Sequence, residues 1–379
     1  MRRIFIISMS LLSLLSSCLR VSESQPQPTF KERVARFWGW YAANAERFYQ
    51  TIEDGKSPDL ADKVSKKVDE QLGSFAWVFG CGANGKGHSF TLSAEGDKHK
   101  QLLTQYWAEC APKLDGWTFY PARQPDEIHE KWAFEIHNMN FYPIEFLLTT
   151  DIDENRKLVH ITAWHPLFEK MDKGQKLQML FLTLDDLLGE YGVGQWIGKI
   201  DISADKPTQS IPIKELPALI AELEKREGWK KYPPGEEGVV YRIDKQHDAF
   251  PRGDVFVGST MHMPLINDYL EAKGKWDNPL AEYGANFFYL TIPTSWLPSG
   301  NEAGARGKIE DAIDAALRAE KSGRVLGGAT GTKNAYIDLL LLDGTRSREL
   351  VMRVVKEQSL PKETALLPFT TGTITKTAK

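Results

Sequence analysis

The chain has 379 residues, 42% hydrophobic and 26% charged, with a formal net charge of −4. That is an ordinary globular composition, long enough for two or more domains. The acidic balance excludes a general nucleic-acid binder, and beyond residue 18 no apolar run approaches the ~20 residues of a transmembrane helix.

Arg2 and Arg3 form a positive start, and Ile4–Leu15 is an apolar stretch of signal-peptide length. It ends in Leu15-Ser16-Ser17-Cys18, which resembles the lipobox of bacterial lipoproteins. The resemblance implies that the Cys18 thiol is alkylated by a diacylglyceryl group and that cleavage leaves Cys18 first. The alternative is an ordinary secretory signal cut elsewhere. Removing Met1–Ser17 takes two arginines, so Lys+Arg falls from 47 to 45 against 51 acidic residues and the net charge to −6. Such a body offers no electrostatic membrane binding, which leaves the lipid as anchor. The expected location is the periplasmic or surface face of a bacterial membrane. Leu19–Thr29, with Pro26 and Pro28, reads as a tether.

The spacing of Val34, Phe37, Trp38, Tyr41, Ala45, Phe48 and Ile52 predicts one long helix over Lys31–Asp54. Ser57-Pro58 starts a second, with Leu60, Val64, Val68 and Leu72 inward. FAWVFG and HSFTLSA form a hairpin across Cys81–Gly87, followed by a helix over Asp97–Ala111 and a strand at Trp117–Arg123. A helix is expected over Asp126–His137. A second hairpin joins PIEFLLTTDI to KLVHITAW, then come a helix over Gln175–Leu188, a strand over Trp196–Ile202 and a helix over Ile213–Arg226. Hairpin, helix, strand thus occurs twice, as a repeat of element order only. Glu224–Gly238, with Pro233, Pro234 and Gly235, is the expected domain boundary.

Strands VVYRID and DVFVGST and a helix over Pro264–Lys273 come next. Asn286–Ile292, Ala305–Glu320, Arg324–Ala329, Ala335–Leu342, Ser347–Gln358 and Ala365–Phe369 then give the order β-α-β-β-α-β, a ferredoxin-like split arrangement. The expected class is α+β, with mixed sheets and helices on one face. The expected division is residues 1–18 as signal, 19–29 as tether, 30–232 as an N-terminal domain and 239–370 as a C-terminal domain containing the 286–369 unit.

SGRVLGGATGTKNAYIDLLLLDG, with the following helix and LPKETALLPF, resembles small ferredoxin-like bacterial domains of unknown function. CAPKLDGWTFYPARQP (Cys110–Pro125) is similar to a motif of uncharacterised bacterial proteins. The ribonuclease-inhibitor regulator family is similar in element order alone. None of these resemblances supplies catalytic residues.

GCGANGK (Gly80–Lys86) fits part of a phosphate-binding loop, but Gly87 stands where a hydroxyl is needed and a strand follows, so a hairpin turn explains it better. Turn or bulge glycines likewise explain Gly327–Gly331. Cys81 and Cys110 are either a disulfide pair or two free thiols. His160 and His165 fall on opposite faces of a strand, and Cys81 with His88 lacks an orienting third group. Asp185-Asp186 and Glu236-Glu237 read as solvated surface. No metal and no cofactor are expected. The eleven tryptophans read as core, or in part as an exposed aromatic binding surface. The expected function is a membrane-anchored binding or protein-interaction module with an envelope protein or peptide as partner. The alternative is an envelope hydrolase with a site converging from distant residues.

Overall fold

The computed structural model describes residues 27–370 except 129, 131, 137, 138, 247 and 248. The expected lipidation site Cys18, the tether up to residue 26 and the tail after Thr370 lie outside the described residues. The end of the expected tether belongs to the body. Thr29 caps the first helix, its hydroxyl accepting from the Glu32 N–H while the Glu32 carboxylate accepts from the Thr29 N–H.

The apolar stripe expected over Lys31–Asp54 is buried, but it lies on two helices, α1 (Phe30–Ala42) and α2 (Ala45–Glu53). Asn44 causes the break. Its side-chain amide donates to the Trp40 carbonyl at 2.7 Å, while its backbone N–H turns to Tyr41 O at 2.9 Å. A side chain that takes a main-chain carbonyl offers the chain an alternative to the helix. After a 3₁₀ turn, α3 (Ala61–Gln71) buries Val64 and Val68.

Strands β1 (Ala76–Cys81) and β2 (His88–Ser93) pair antiparallel, α4 (Lys98–Glu109) crosses over, and β3 (Trp117–Tyr120) returns parallel to β2. β3 ends at Pro121 on the sheet edge, as a residue without an N–H requires.

The helix expected over Asp126–His137 is not formed. β4 (Phe134–Ile136) instead pairs with β5 (Met139–Phe141). The chain before it is held extended by α5 (Lys173–Trp196), which breaks at Gly189 (φ 71°). There Glu190 N–H reaches the Arg123 carbonyl at 3.0 Å and Asp126 N–H reaches the Asp186 carbonyl at 2.6 Å. A Cβ on Gly189 would meet Arg123 O at 3.0 Å, so this close approach requires glycine.

In the middle unit, β6 (Leu147–Asp153) and β7 (Leu158–Trp164) form the second hairpin, and β8 (Ile197–Ile202) follows α5 parallel to β7. This repeats the β1-β2-α4-β3 arrangement in order, pairing and direction. β9 (Ile211–Pro212) adds to the far side of β6, and α6 (Leu216–Glu227) follows.

The remaining elements are β10 (Val239–Arg242), β11 (Val255–Thr260), α7 (Met263–Glu271), β12 (Asn286–Pro293), α8 (Glu302–Ala319), β13 (Gly323–Gly331), β14 (Asn334–Leu341), α9 (Gly344–Glu357) and β15 (Ala365–Pro368). One six-stranded sheet runs β10-β11-β13-β14-β12-β15, every neighbour antiparallel.

This sheet is buried on both faces, a departure from helices on one face only. Leu290, Ile337, Leu339 and Leu341 pack under α8 and α9. Phe287, Tyr289, Tyr336 and Leu340 join one core with α1, α3, α4 and α7. The run Ala335–Leu342 is continuously apolar but for Asp338 because neither face sees water. The grouping cuts across the division expected at 224–238. Residues 30–107 share a core with residues 241–369, while residues 141–229 have their own.

Asp338, the charge in that run, is fully buried and takes a two-pronged ion pair from Arg252, with Nη2 to Oδ2 at 3.0 Å. The guanidinium lies 4.7–5.4 Å from the ring centres of Phe369, Tyr336 and Tyr289.

Candidate functional site

Most of the expected boundary Glu224–Gly238, namely Gly228–Gly238, is pinned rather than free. Gly228 (φ 65°) ends α6 in the left-handed conformation. Trp229 is buried and stacks on Trp196 at 5.6 Å. Gln195 donates to Lys230 O at 2.7 Å and accepts from Tyr232 N at 2.9 Å. Lys231 donates to Leu188 O at 3.3 Å, and burial lowers its pKa. At the other end, Arg324 from β13 donates to the Gly235 carbonyl and to Glu236 at 2.9 Å. Gly235 (φ 79°) must be glycine because a Cβ would meet Leu102 at 2.9 Å and Arg324 at 3.0 Å.

This pinned segment, with Lys157, lines a polar groove of about 370 Å³. Lys157, Gly228, Lys230 and Tyr232 line it on the side of the middle unit, and Glu236, Glu237 and Gly238 on the side of the sheet. Lys157 sits in the β6–β7 turn with φ 57°. Glu236 is neutralised by Arg324. Among the described residues the charged groups of Lys157, Lys230 and Glu237 have no partner.

Strand β10 begins at the rim of the groove, directly after Gly238, and is an end strand of the six-stranded sheet. Among the described residues no strand pairs with its outer edge, whose main-chain groups are available for pairing. Val240 is 71% exposed, and Val239, Tyr232 and Met261 are also exposed. Val239 pairs with Thr260, which places Met261 at the same end of the sheet. The pattern of exposed apolar side chains on an unpaired edge, beside a polar groove, suits an extended polypeptide.

A second concentration of titratable groups is buried at the start of α4 and joins the three parts of the chain. Glu190 accepts from Ser93 Oγ at 2.7 Å, Gly96 N at 3.1 Å and Gln101 Nε2 at 3.1 Å. Lys98 donates to Gly194 O at 3.0 Å, and burial lowers its pKa. His99 links to Asp268 and His262 on the C-terminal side. Arg123 contacts Glu95 and lies 3.6 Å from Asp185, whose carboxyl burial pushes up to about 7. These groups satisfy one another across the seams and act as structural ties.

The other sequence candidates are placed as follows. Gly80 and Cys81 end β1, and Gly82–Lys86 lies in the turn to β2. Gly327 lies at a β-bulge, and Gly328 and Gly331 leave room for Glu310 and Arg306 of α8 and for Asp254. Cys81 is an exposed free thiol and Cys110 a half-buried one, so the two are not bridged. Burial raises the Cys110 pKa. His88 stands opposite Cys81 across the β1–β2 ladder, and Glu53 lies 2.9 Å from His88 Nε2. That third group comes from α2 and left no sequence signal. Among the described residues no hydrogen bond joins the Cys81 thiol to His88.

His160 Nδ1 accepts from Lys199 N at 2.8 Å. His165 lies beyond the end of β7, is buried against Phe141, and is held by burial at a pKa of about 4. Asp185 is no solvated surface group, whereas Glu237 is exposed in the groove. Trp38, Trp107, Trp196, Trp229 and Trp276 are core, and Trp296 is exposed. The groove left little sequence signal because Lys157 lies about seventy to eighty residues from the rest of its lining; its local signal is the Pro-Pro-Gly-Glu-Glu run. Comparison with protein-family models, with curated proteins and with solved structures found no match to this chain.

Proposed function

We propose that the chain is a lipid-anchored interaction module of the bacterial envelope that receives an extended segment of a partner protein along the free edge of β10. The observation that carries this reading is the exposed Val240 on an end strand opening into the 370 Å³ groove. An added strand gains main-chain hydrogen bonds at such an edge, and pockets beside it select side chains. The antiparallel order β13-β14-β12-β15 supports the ferredoxin-like description of 286–369, with β10 and β11 as an extension that moves the free edge away from that unit. The lipobox-like Leu15–Cys18 supports the anchor. A single buried methylene is worth about 0.8 kcal/mol, so two acyl chains on Cys18 would hold the acidic body without electrostatic help.

The edge is tested by selecting peptides from a displayed random library on the purified chain. Selected peptides should lose binding to Val240→Asp and keep it with Met352→Asp, an exposed control on α9. Equal binding to both variants, or no enrichment, would remove the edge from the reading. The anchor is tested separately by mass spectrometry of the membrane fraction, where Cys18→Ser should abolish the added lipid mass.

A further inference from the structure

We infer that the segment received at β10 is a polypeptide C-terminus, its α-carboxylate held between Lys157 and Lys230, with the strand antiparallel to β10. The inference rests on the β10 reading above and names its partner.

The charges of the groove favour an anion. With Glu236 occupied by Arg324, the groups left to a ligand are the ammonium groups of Lys157 and Lys230 and the carboxylate of Glu237. The two lysines belong to the side formed by the middle unit, and Glu237 to the side that leads into β10. Both lysines are set on ordered backbone. Lys157 occupies the left-handed position of a tight turn, and the Lys230 carbonyl is held by Gln195.

The main-chain path makes the anion a chain end. A strand added to β10 passes Val239 and then runs straight past Gly238 into the groove. Its side chains stand perpendicular to the sheet, whereas its backbone points along the strand. The group delivered into the groove is therefore main chain, and a main-chain anion is a terminal carboxylate. β10 runs away from the groove, so a strand ending in the groove runs opposite to it. At about 370 Å³ the groove is at the lower end of the ~300–1,000 Å³ typical of ligand clefts, room for the end of a chain.

The test uses peptides from the selection, each synthesised as free acid and as C-terminal amide, titrated by fluorescence anisotropy. Amidation should weaken binding to the wild-type chain by about 10-fold or more, the scale of a charge-assisted hydrogen bond. It should change little in the Lys157→Gln, Lys230→Gln double variant. Equal affinity of acid and amide, with Val240→Asp still abolishing both, overturns the terminus and leaves the edge reading standing. Binding that survives Val240→Asp overturns the edge reading itself. A preference for a free amino terminus over an acetylated one would assign the groove to Glu237 and overturn the inference. So would peptide binding that appears only after residues 371–379 are removed, because this chain's own tail would then be the occupant.

Discussion

His99 on α4 and His262 at the start of α7 meet ring to ring, Nδ1 to Nε2 at 2.9 Å. Asp268 accepts from His99 Nε2 at 3.0 Å. One ring donates and the other accepts across this contact, and a proton on each of the two facing nitrogens would break it. This contact joins the first unit to the C-terminal sheet, so its protonation acts on the core they share.

Burial, with His99, Lys98 and Arg324 nearby, lowers the His262 pKa to about 3. The unfolded chain takes up that proton near 6.5, so between pH 6.5 and 3 it binds more protons than the folded chain. Stability contributed by neutral His262 is complete above pH 6.5 and is lost as the pH falls. The expected loss is about 2 kcal/mol at pH 5. Urea unfolding at pH 7.5 and pH 5 should show a smaller difference for His262→Gln, with a residual slope from His165. An unchanged slope would mean that His262 titrates normally.

Arg252 and Asp338 form a fully desolvated pair in which each charge depends on the other. Arg252→Met should destabilise by about 3–5 kcal/mol, since it leaves an unpaired buried carboxylate. Asp338→Leu combined with Arg252→Met should recover most of that loss. A double variant as unstable as the single one would show that the pair's packing, not its charge, is what matters. Urea midpoints at constant m-value measure the comparison.

Asp185 titrates in the opposite sense. Burial raises its carboxyl to about 7, opposed by Arg123 and reinforced by Glu190, Glu95 and Asp186. The folded chain keeps this proton between about pH 4 and 7 while the unfolded chain releases it, so this contribution to stability falls as the pH rises through that window. Asp185→Asn should therefore gain on the wild type from pH 5 to pH 8, by up to about 2–3 kcal/mol. Parallel thermal-unfolding curves across that range would exclude the shift.

The two thiols should differ in rate. Cys81 is exposed, whereas Cys110 is half-buried with a raised pKa, so less of it is thiolate at pH 8. Alkylation of the folded chain should label Cys81 first and Cys110 slowly, and denaturation without reductant should free both. A single labelled site after denaturation would contradict two free thiols at 81 and 110.

Helix stripes and hairpins were legible because they depend on residues three or four apart, or on a short turn. Leu60, Val64, Val68 and Leu72 are buried as their spacing demands, and β13 and β14 close across Thr332 and Lys333. Local reading failed where a distant segment took the hydrogen bonds. Asp126–His137 has helical composition, yet the chain ahead of it is bound to the broken turn of α5 some sixty residues later. Asn44 was a break signal within the sequence, and the regular apolar stripe across it masked the break.

By itself the sequence determined most of the element types and the twofold hairpin-helix-strand order. Each of these follows from periodicity or from the absence of polar residues along a short stretch. Only the tertiary structure decided what covers the second face of the six-stranded sheet, and that the segment carrying the Pro-Pro-Gly run is pinned by Gln195 and Arg324. Tertiary structure also brought Lys157 across from Glu237. Those outcomes depend on contacts tens to hundreds of residues apart, whose specificity lies in shape and in paired hydrogen bonds, neither of which leaves a periodic trace along the chain.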